Sequence, residues 1–132
     1  MYGFDTGFVR TFRGWGEVRD EDLGVLWEHY VLNELQARAT VGEIRYWRST
    51  KHQEVDLVVV RRGHAPLAVE CKWRTDDRED LPGLRAFLRA YPKAEARVVA
   101  SDIERPFERE VVPGNRVRYV GLEGLLEDLV VR

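Results

Sequence analysis

The run Val55–Val60 is the feature that most constrains the fold. Its residues are Val, Asp, Leu, Val, Val and Val, so a single carboxylate, Asp56, interrupts a stretch that is otherwise aliphatic. Continuous aliphatic runs of this length are typical of central strands that are buried on both faces. The sequence therefore predicts a central strand, and that strand carries a charge which needs a partner.

The patterns on either side of this run predict an α/β domain. The predicted elements are a helix at 22–39, strands at 44–48, 55–61 and 66–73, a helix at 81–91, strands at 96–101 and 116–120, and a helix at 122–130. A charged segment with Pro106 and Pro113 is predicted to connect the last two strands. This αβββαβ core predicts a mixed β-sheet flanked by helices, with antiparallel first hairpins and one parallel crossover.

The 132 residues contain no repeat and no obvious linker, so we expect a single domain. It divides into an N-terminal extension at 1–21, a core at 22–101, and a closing strand and helix at 102–132. The one cysteine, Cys71, excludes a disulfide framework and a thiolate zinc cluster. No apolar run approaches the roughly 18 residues of a membrane span, and the start lacks a signal-peptide pattern. These features predict a soluble, cytoplasmic protein without a membrane segment.

The charge is unevenly distributed along the chain. The net charge is −2, which is unusual for a protein that binds nucleic acid. Residues 44–74, however, contain seven basic and three acidic side chains, and the rest of the chain is acidic. A locally basic segment can contact phosphates even in an acidic chain. The alternative for these charges is an ordinary solvated face.

Three charged side chains fall in the predicted central strands. Glu70 and Lys72 lie two residues apart in the strand at 66–73, so they share one face, while Cys71 and Trp73 share the other. If this strand pairs with the preceding one across a short turn, Asp56 lies beside Glu70. Two carboxylates and an ammonium group would then converge in apolar surroundings, and a hard cation such as Mg²⁺ prefers such oxygen ligands.

Glu28 adds a third acidic side chain. Its neighbours one turn away on the first predicted helix are small or apolar, where a solvated glutamate is not expected. Taken singly, the strand Asp and the Glu-x-Lys pattern favour a structural role, such as a satisfied core Asp or a same-face ion pair. The combination of a helix Glu, a strand Asp and a strand Glu-x-Lys favours a catalytic site.

The order Glu28, Glu54-Val55-Asp56 and Glu70-Cys71-Lys72 resembles the PD-(D/E)xK nuclease superfamily, which has the restriction-endonuclease-like fold. Further stretches resemble the C-terminal nuclease-like domain of bacterial and archaeal AAA+-type ATPases. These stretches are Phe4-Asp5-Thr6-Gly7-Phe8, Gly24 to Leu35, Tyr46-Trp47-Arg48, and Glu54 to Val58. The chain departs from the superfamily pattern at Val55, where the motif's name has Pro. It also contains no phosphate-binding Gly-x-x-x-x-Gly-Lys-Ser/Thr loop, so the ATPase part is missing.

The resemblance implies a metal site and a set of roles. Asp56, Glu70 and the backbone carbonyl of Cys71 would hold Mg²⁺ or Mn²⁺, with Glu28 helping directly or through water. Lys72 would orient or deprotonate the attacking water, or neutralise the transition state. Glu54 is either a supporting residue behind the ligands or a solvated edge residue. The candidate phosphate contacts are Arg48, Lys51, Arg74 and Arg85.

The function implied by the resemblance is phosphodiester hydrolysis by a metal-dependent nuclease, with DNA as the nucleic acid. The alternative is a nuclease fold that binds nucleic acid without cutting it or docks to an ATPase as a regulatory module. Either function is compatible with an ATPase domain or another protein as partner. A homodimer is also compatible, since many nucleases of this fold are dimers.

Overall fold

Three helices and six strands form the part of the chain that a computed structural model describes, residues 20–38, 42–75 and 80–129. The elements are α1 (Asp20–Arg38), β1 (Glu43–Arg48), β2 (Glu54–Val60), β3 (Leu67–Lys72), α2 (Pro82–Ala90), β4 (Glu95–Ala100), β5 (Phe107–Val112), β6 (Asn115–Val120) and α3 (Leu122–Leu129). The predicted N-terminal extension lies almost wholly outside the described residues, and so does the motif at Phe4–Phe8. None of the described helices is both long and apolar enough to cross a membrane.

The six strands form one mixed sheet in the order β1-β2-β3-β4-β6-β5. β1, β2 and β3 are antiparallel neighbours, whereas β4 runs parallel to both β3 and β6. The prediction of a mixed sheet flanked by helices, with antiparallel first hairpins and a parallel crossover, is confirmed. β2 and β3, the strands that carry Asp56 and Glu70, lie inside the sheet.

The predicted connection between the last two strands was wrong. The charged segment after Pro106 forms β5, which pairs antiparallel with β6 at one edge of the sheet. Its two prolines flank the strand and leave its interior free to pair, which is where prolines are tolerated in sheets. Charged residues mark it as an edge strand, since edge strands leave much of their surface to solvent. The closing region is therefore a hairpin followed by a helix.

Two apolar clusters cover the two faces of the sheet. On one face α1 and α3 pack over alternate residues of the inner strands, including Leu57, Val69 and Val99. On the other face α2 packs through Leu84 and Phe87 against the strand residues that alternate with those of the first face. Because both faces are covered, a charged side chain in β2 or β3 has apolar side chains beside it on either face.

A buried hydrogen bond joins α1 to the sheet. Trp27 Nε1 donates to the carbonyl oxygen of Val99 in β4 at 3.1 Å. The Trp27 ring also meets the rings of Tyr30 and Trp73 edge to face, each with 5.9 Å between centroids. Buried indole N–H groups need a partner of this kind, and the bond sets how α1 lies over the sheet. Glu28, the next residue along the helix, is positioned with it.

A close backbone approach joins α2 to the start of β2. A Cβ atom added at Gly83 would overlap the carbonyl oxygen of Glu54. Only glycine permits such an approach between the first turn of a helix and a strand. The approach brings α2 against the strand that carries Asp56.

We expect Gly83→Ala to destabilise the fold by about 1–3 kcal/mol, because the new methyl group must push α2 away from β2. Gly24→Ala is the matched control, since a Cβ atom there meets no atom within 4 Å. In the interior of α1 it should stabilise the protein by about 0.5–1 kcal/mol. Urea unfolding followed by circular dichroism measures both, and equal free energies of unfolding would contradict the close contact at Gly83.

Candidate functional site

A bulge in β2 sets the position of Asp56. Between the pairs Trp47–Val55 and Arg45–Val58, β2 has two residues where β1 has one. Val55 and Val58 consequently both pack into the α2 side of the core, although simple alternation would put them on opposite faces. Bulges of this kind redirect a side chain, and they are frequent next to active sites. This bulge contains Asp56, the only carboxylate within the aliphatic run.

Asp56 bridges the two central strands. Its Oδ2 atom accepts a hydrogen bond from the backbone N–H of Cys71 in β3 at 3.0 Å. The antiparallel register pairs Leu57 with Val69, and Asp56 and Glu70 are the next residues of their strands beyond that pair. That the two carboxylates lie side by side stays a prediction.

The protonation of Asp56 is set by opposing effects. Burial raises the pKa of its carboxyl group, and the negative charge of Glu54 adds to the rise. The hydrogen bond from Cys71 and the positive charge of Lys72 lower the pKa, but they do not offset the burial. The positive charge around the Asp56 carboxylate is therefore too small to offset its burial, and an added cation would favour the ionised form.

Glu70 and Lys72 face a cavity on the α2 side of the sheet. Lys72 Nζ lies 3.8 Å from Glu70 Oε1, and the two side chains are 27% and 16% exposed. The cavity has a volume of about 420 Å³, and its lining residues are His52, Gln53, Glu54, Glu70, Lys72, Asp80, Leu81, Pro82 and Gly83. Cys71 and Trp73 pack on the opposite side, against the α1 cluster. β3 thus presents a carboxylate and an ammonium group to one solvent-accessible cavity.

The turn after β3 is fastened to the end of β4. Thr75 donates through both its backbone N–H and its hydroxyl group to the Asp102 carboxylate, at 2.9 and 2.8 Å. Ser101 N–H also donates to the Trp73 carbonyl oxygen at 3.2 Å. These bonds fix the backbone just after Lys72, so the point from which the Lys72 side chain extends is held in place.

Glu28 approaches Asp56 from α1. Burial, and then the negative charges of Asp56 and Glu54, raise its pKa from 4.5 to about 7. Glu28 and Asp56 do not line the cavity, whereas Glu70 does. The predicted acidic residues are thus electrostatically linked but are divided between the cavity wall and the interior behind it.

Cys71 lies at the centre of these charges. Burial and the charges of Asp56, Glu28 and Glu70 all raise the pKa of its thiol well above the usual value, and Lys72 only partly opposes them. A thiol of this kind stays protonated and is a poor nucleophile. The contribution of Cys71 to the site is therefore through its backbone.

Glu54 is held by the side chains of β1. Arg48 Nη2 lies 2.7 Å from Glu54 Oε1, and Arg48 Nε donates both to that oxygen and to the Tyr46 hydroxyl group. These partners, first Tyr46 and then Arg48, lower the pKa of Glu54. Glu54 lines the cavity in its ionised form and is tied to the edge of the sheet.

The four predicted phosphate contacts differ in their surroundings. Arg48 is paired with Glu54, and Arg85 Nη2 lies 2.6 Å from Asp80 Oδ1. Lys51 and Arg74 are exposed, Lys51 in the turn before β2 and Arg74 just after β3. A phosphate would have to compete with carboxylates for the two paired arginines, whereas the two exposed cations lie at the same end of the antiparallel β2–β3 pair.

The residues present suit a magnesium ion with few protein ligands. In the described ranges 20–38, 42–75 and 80–129, no three His, Cys, Asp or Glu side chains form a group that could hold a metal ion. Asp56 accepts a hydrogen bond from the Cys71 backbone, and Glu70 is the residue before Cys71 in β3. Mg²⁺ is commonly bound by one or two carboxylates with water completing the shell. The arrangement fits such a site, with Glu28 acting through water.

Two titratable side chains that line the cavity, His52 and Asp80, were not among the predicted site residues. His52 lies in the turn between β1 and β2, and Asp80 precedes α2. Asp80 gave no signal in the sequence because only the packing of α2 against β2 brings it to the cavity. His52 lies in a polar turn, and its unusual backbone conformation, with a φ angle of 62°, is not visible in the sequence.

The raised pKa of Glu28 predicts a pH-dependent stability. The folded protein binds a proton at Glu28 more tightly than the unfolded chain, so this group's stabilisation is complete below pH 4.5 and is lost as the pH rises to about 7. Glu28→Gln should therefore gain stability relative to the wild type as the pH is raised from 5 to 8. Urea unfolding at several pH values measures this difference. Glu28→Ala should show the same trend, and a difference that is constant with pH would contradict it.

Comparison with known proteins identifies the family to which the chain belongs. No curated protein is significantly similar to the chain in sequence. The fold is similar to that of a chain in the refined half-complex from the tetradecameric assembly of Thermococcus gammatolerans McrB AAA+ hexamers with bound McrC, with a TM-score of 0.57 and 16% identity. The match covers 76% of this chain and 28% of that chain, and at this identity the likeness concerns the fold alone. Residues 23–117 match the family described as Domain of unknown function (DUF4143), which is well over half of the sequence, and the chain belongs to that family.

Proposed function

We propose that this protein is a divalent-metal-dependent nuclease that hydrolyses phosphodiester bonds in DNA. The observation that supports it best is the hydrogen bond from Cys71 N–H to Asp56, which holds the acid of β2 against the Glu70-x-Lys72 segment of β3. An aspartate inside an aliphatic strand costs folding free energy, and the bulge directs it towards two further charged groups. A structural ion pair alone does not require three charged groups on adjacent inner strands.

The proposed roles follow from the positions of these groups. Asp56, Glu70 and the Cys71 carbonyl would hold Mg²⁺, with Glu28 acting through water. When bound, the ion would supply positive charge at the scissile phosphate and acidify a water molecule. Lys72 faces the same cavity as Glu70, where its ammonium group orients the attacking water or neutralises charge on the phosphate. Glu54 fixes the rim of the cavity through its pairing with Arg48.

A partner protein is the second part of the proposal. The overall charge is slightly negative and two candidate phosphate contacts are paired with carboxylates, so the part of the domain that the structure describes offers no broad basic track for DNA. The fold likeness to a chain from an assembly of McrB AAA+ hexamers with bound McrC supports an ATPase as that partner. In this arrangement the ATPase delivers the nucleic acid and the DUF4143 domain cuts it.

We expect the wild type to bind Mg²⁺ and Mn²⁺ at millimolar concentration. The double variant Asp56→Asn, Glu70→Gln should lose this binding, because amide oxygens carry no charge to attract the ion. Glu104→Gln removes an exposed carboxylate outside the site and should bind the ions as the wild type does. Isothermal titration calorimetry measures all three proteins, and wild-type protein that takes up no ion would exclude the metal-dependent mechanism.

We expect Lys72→Ala to cut DNA at least about 100-fold more slowly than the wild type while still binding the metal ion. Lys93→Ala is the matched control, since Lys93 is exposed between α2 and β4. Nicking of supercoiled plasmid in the presence of Mg²⁺ measures the rate. Equal rates for wild type and Lys72→Ala would remove Lys72 from the mechanism.

A non-cleaving module is the second candidate function. The pairing of Arg48 and Arg85 with carboxylates and the likeness to an ATPase assembly both suit a domain that docks to an ATPase or holds nucleic acid. A wild type that binds DNA in an electrophoretic shift assay but does not nick it with either metal would favour this module over the nuclease.

A further inference from the structure

We infer that the imidazole of His52 contacts the nucleic acid, donating a hydrogen bond to a phosphate oxygen at the mouth of the cavity that Glu70 and Lys72 line. The inference rests on the proposed function in so far as nucleic acid must occupy this cavity. It adds a substrate-binding group from the β1–β2 turn to the charged groups of β2 and β3.

The location of His52 is the first argument. It lines the same cavity as Glu70 and Lys72 although it lies on a different element, and it is exposed. Its positive charge also lowers the pKa of Glu54, so the ring is close to the rim of the site. An imidazole at the edge of a cavity can reach a ligand that the deeper groups hold.

The backbone of His52 is the second argument. Its φ angle is 62°, and among the described residues it is the one residue other than glycine with a positive φ. The other positive φ angles belong to Gly63 and Gly114, each in a turn of the kind where glycine is normally found. A side chain in this left-handed conformation costs free energy, and such residues are concentrated at functional sites.

The turn itself does not need the imidazole. Ser49 N–H donates to the Gln53 carbonyl oxygen at 2.8 Å, and His52 N–H donates to the Ser49 carbonyl oxygen at 3.1 Å. Ser49 Oγ also accepts from the backbone N–H groups of Lys51 and Gln53. These bonds come from the backbone and Ser49 and would serve glycine at position 52 equally well. The side chain is therefore not explained by the turn.

The charge balance of the cavity is the third argument. Its acidic lining residues are Glu54, Glu70 and Asp80, and its basic ones are Lys72 and His52. The nearby arginines, Arg48 and Arg85, are paired with Glu54 and Asp80. A phosphate that enters this space needs donors that compensate the carboxylates, and the imidazole of the exposed His52 supplies an N–H group.

The first test is nuclear magnetic resonance of the imidazole groups in the full chain. The sequence has only three histidines, His29, His52 and His64, so the signal of His52 is assigned by its loss in His52→Gly. The probe is a short DNA duplex with phosphorothioate linkages, added with Mg²⁺. The inference expects the His52 signal to shift on binding while that of His64, exposed in the β2–β3 turn, stays in place. A His52 signal that does not move as the duplex binds would overturn it.

The second test separates a contact with nucleic acid from a structural role. His52→Gly relieves the backbone conformation, so its melting temperature should equal or exceed that of the wild type. Its dissociation constant for the duplex should nevertheless rise about tenfold, the expected loss for a hydrogen bond to a charged group. His52→Asn tolerates the same conformation and keeps an N–H donor, so it should recover part of the affinity. His64→Gln is the control and should bind as the wild type does.

The outcomes distinguish this inference from the proposed nuclease activity. If the wild type cuts DNA and His52→Gly binds and cuts equally well, the inference is wrong and the nuclease stands. If the wild type binds DNA through His52 but never cuts it, the inference stands and the nuclease proposal is wrong. A wild type that does not bind the duplex overturns the inference.

Discussion

The burial of one carboxylate in a central strand governs the arrangement of this protein. Asp56 is flanked by aliphatic residues in β2, where an ionised side chain is costly unless it is compensated. Its compensation comes from β3, as a backbone hydrogen bond from Cys71 and the nearby charge of Lys72. The register of the two strands, the bulge and the position of Glu70 are all consistent with this requirement.

Much of this arrangement follows from periodicity in the sequence, and the rest depends on packing. Strand alternation was sufficient to place Glu70 and Lys72 on one face, and the short turn between the two strands favoured the pairing of β2 with β3. Alternation fails at Asp56, because a bulge adds a residue to one strand and leaves no mark in composition. The sequence pattern also failed to predict β5, because an exposed edge strand has the polarity of a loop. The pairing of Arg48 with Glu54 was also missed, since both had been assigned roles separately.

The two sides of the sheet make different contributions to the candidate site. α1 is fastened to β4 by the Trp27 bond, and it brings Glu28 towards Asp56 from the interior. α2 approaches β2 at Gly83 and encloses the cavity from the opposite side. Glu70 and Lys72 face that cavity, so the charged cluster spans the thickness of the sheet. Solvent reaches the half that Glu70 and Lys72 form through the cavity that they line.

The excess of negative charge decides what the site needs in order to act on nucleic acid. Lys72 is the positive charge beside Asp56 and Glu70, Glu54 is paired with Arg48, and the pKa values of Glu28 and Asp56 are nevertheless raised. A phosphodiester adds further negative charge, so in the proposed nuclease it enters only with a compensating cation. The ion and the substrate would then favour each other's binding, because each relieves the repulsion the other meets. Affinity for DNA in this protein is thus expected to depend on metal and on a delivering partner, and much less on a basic surface.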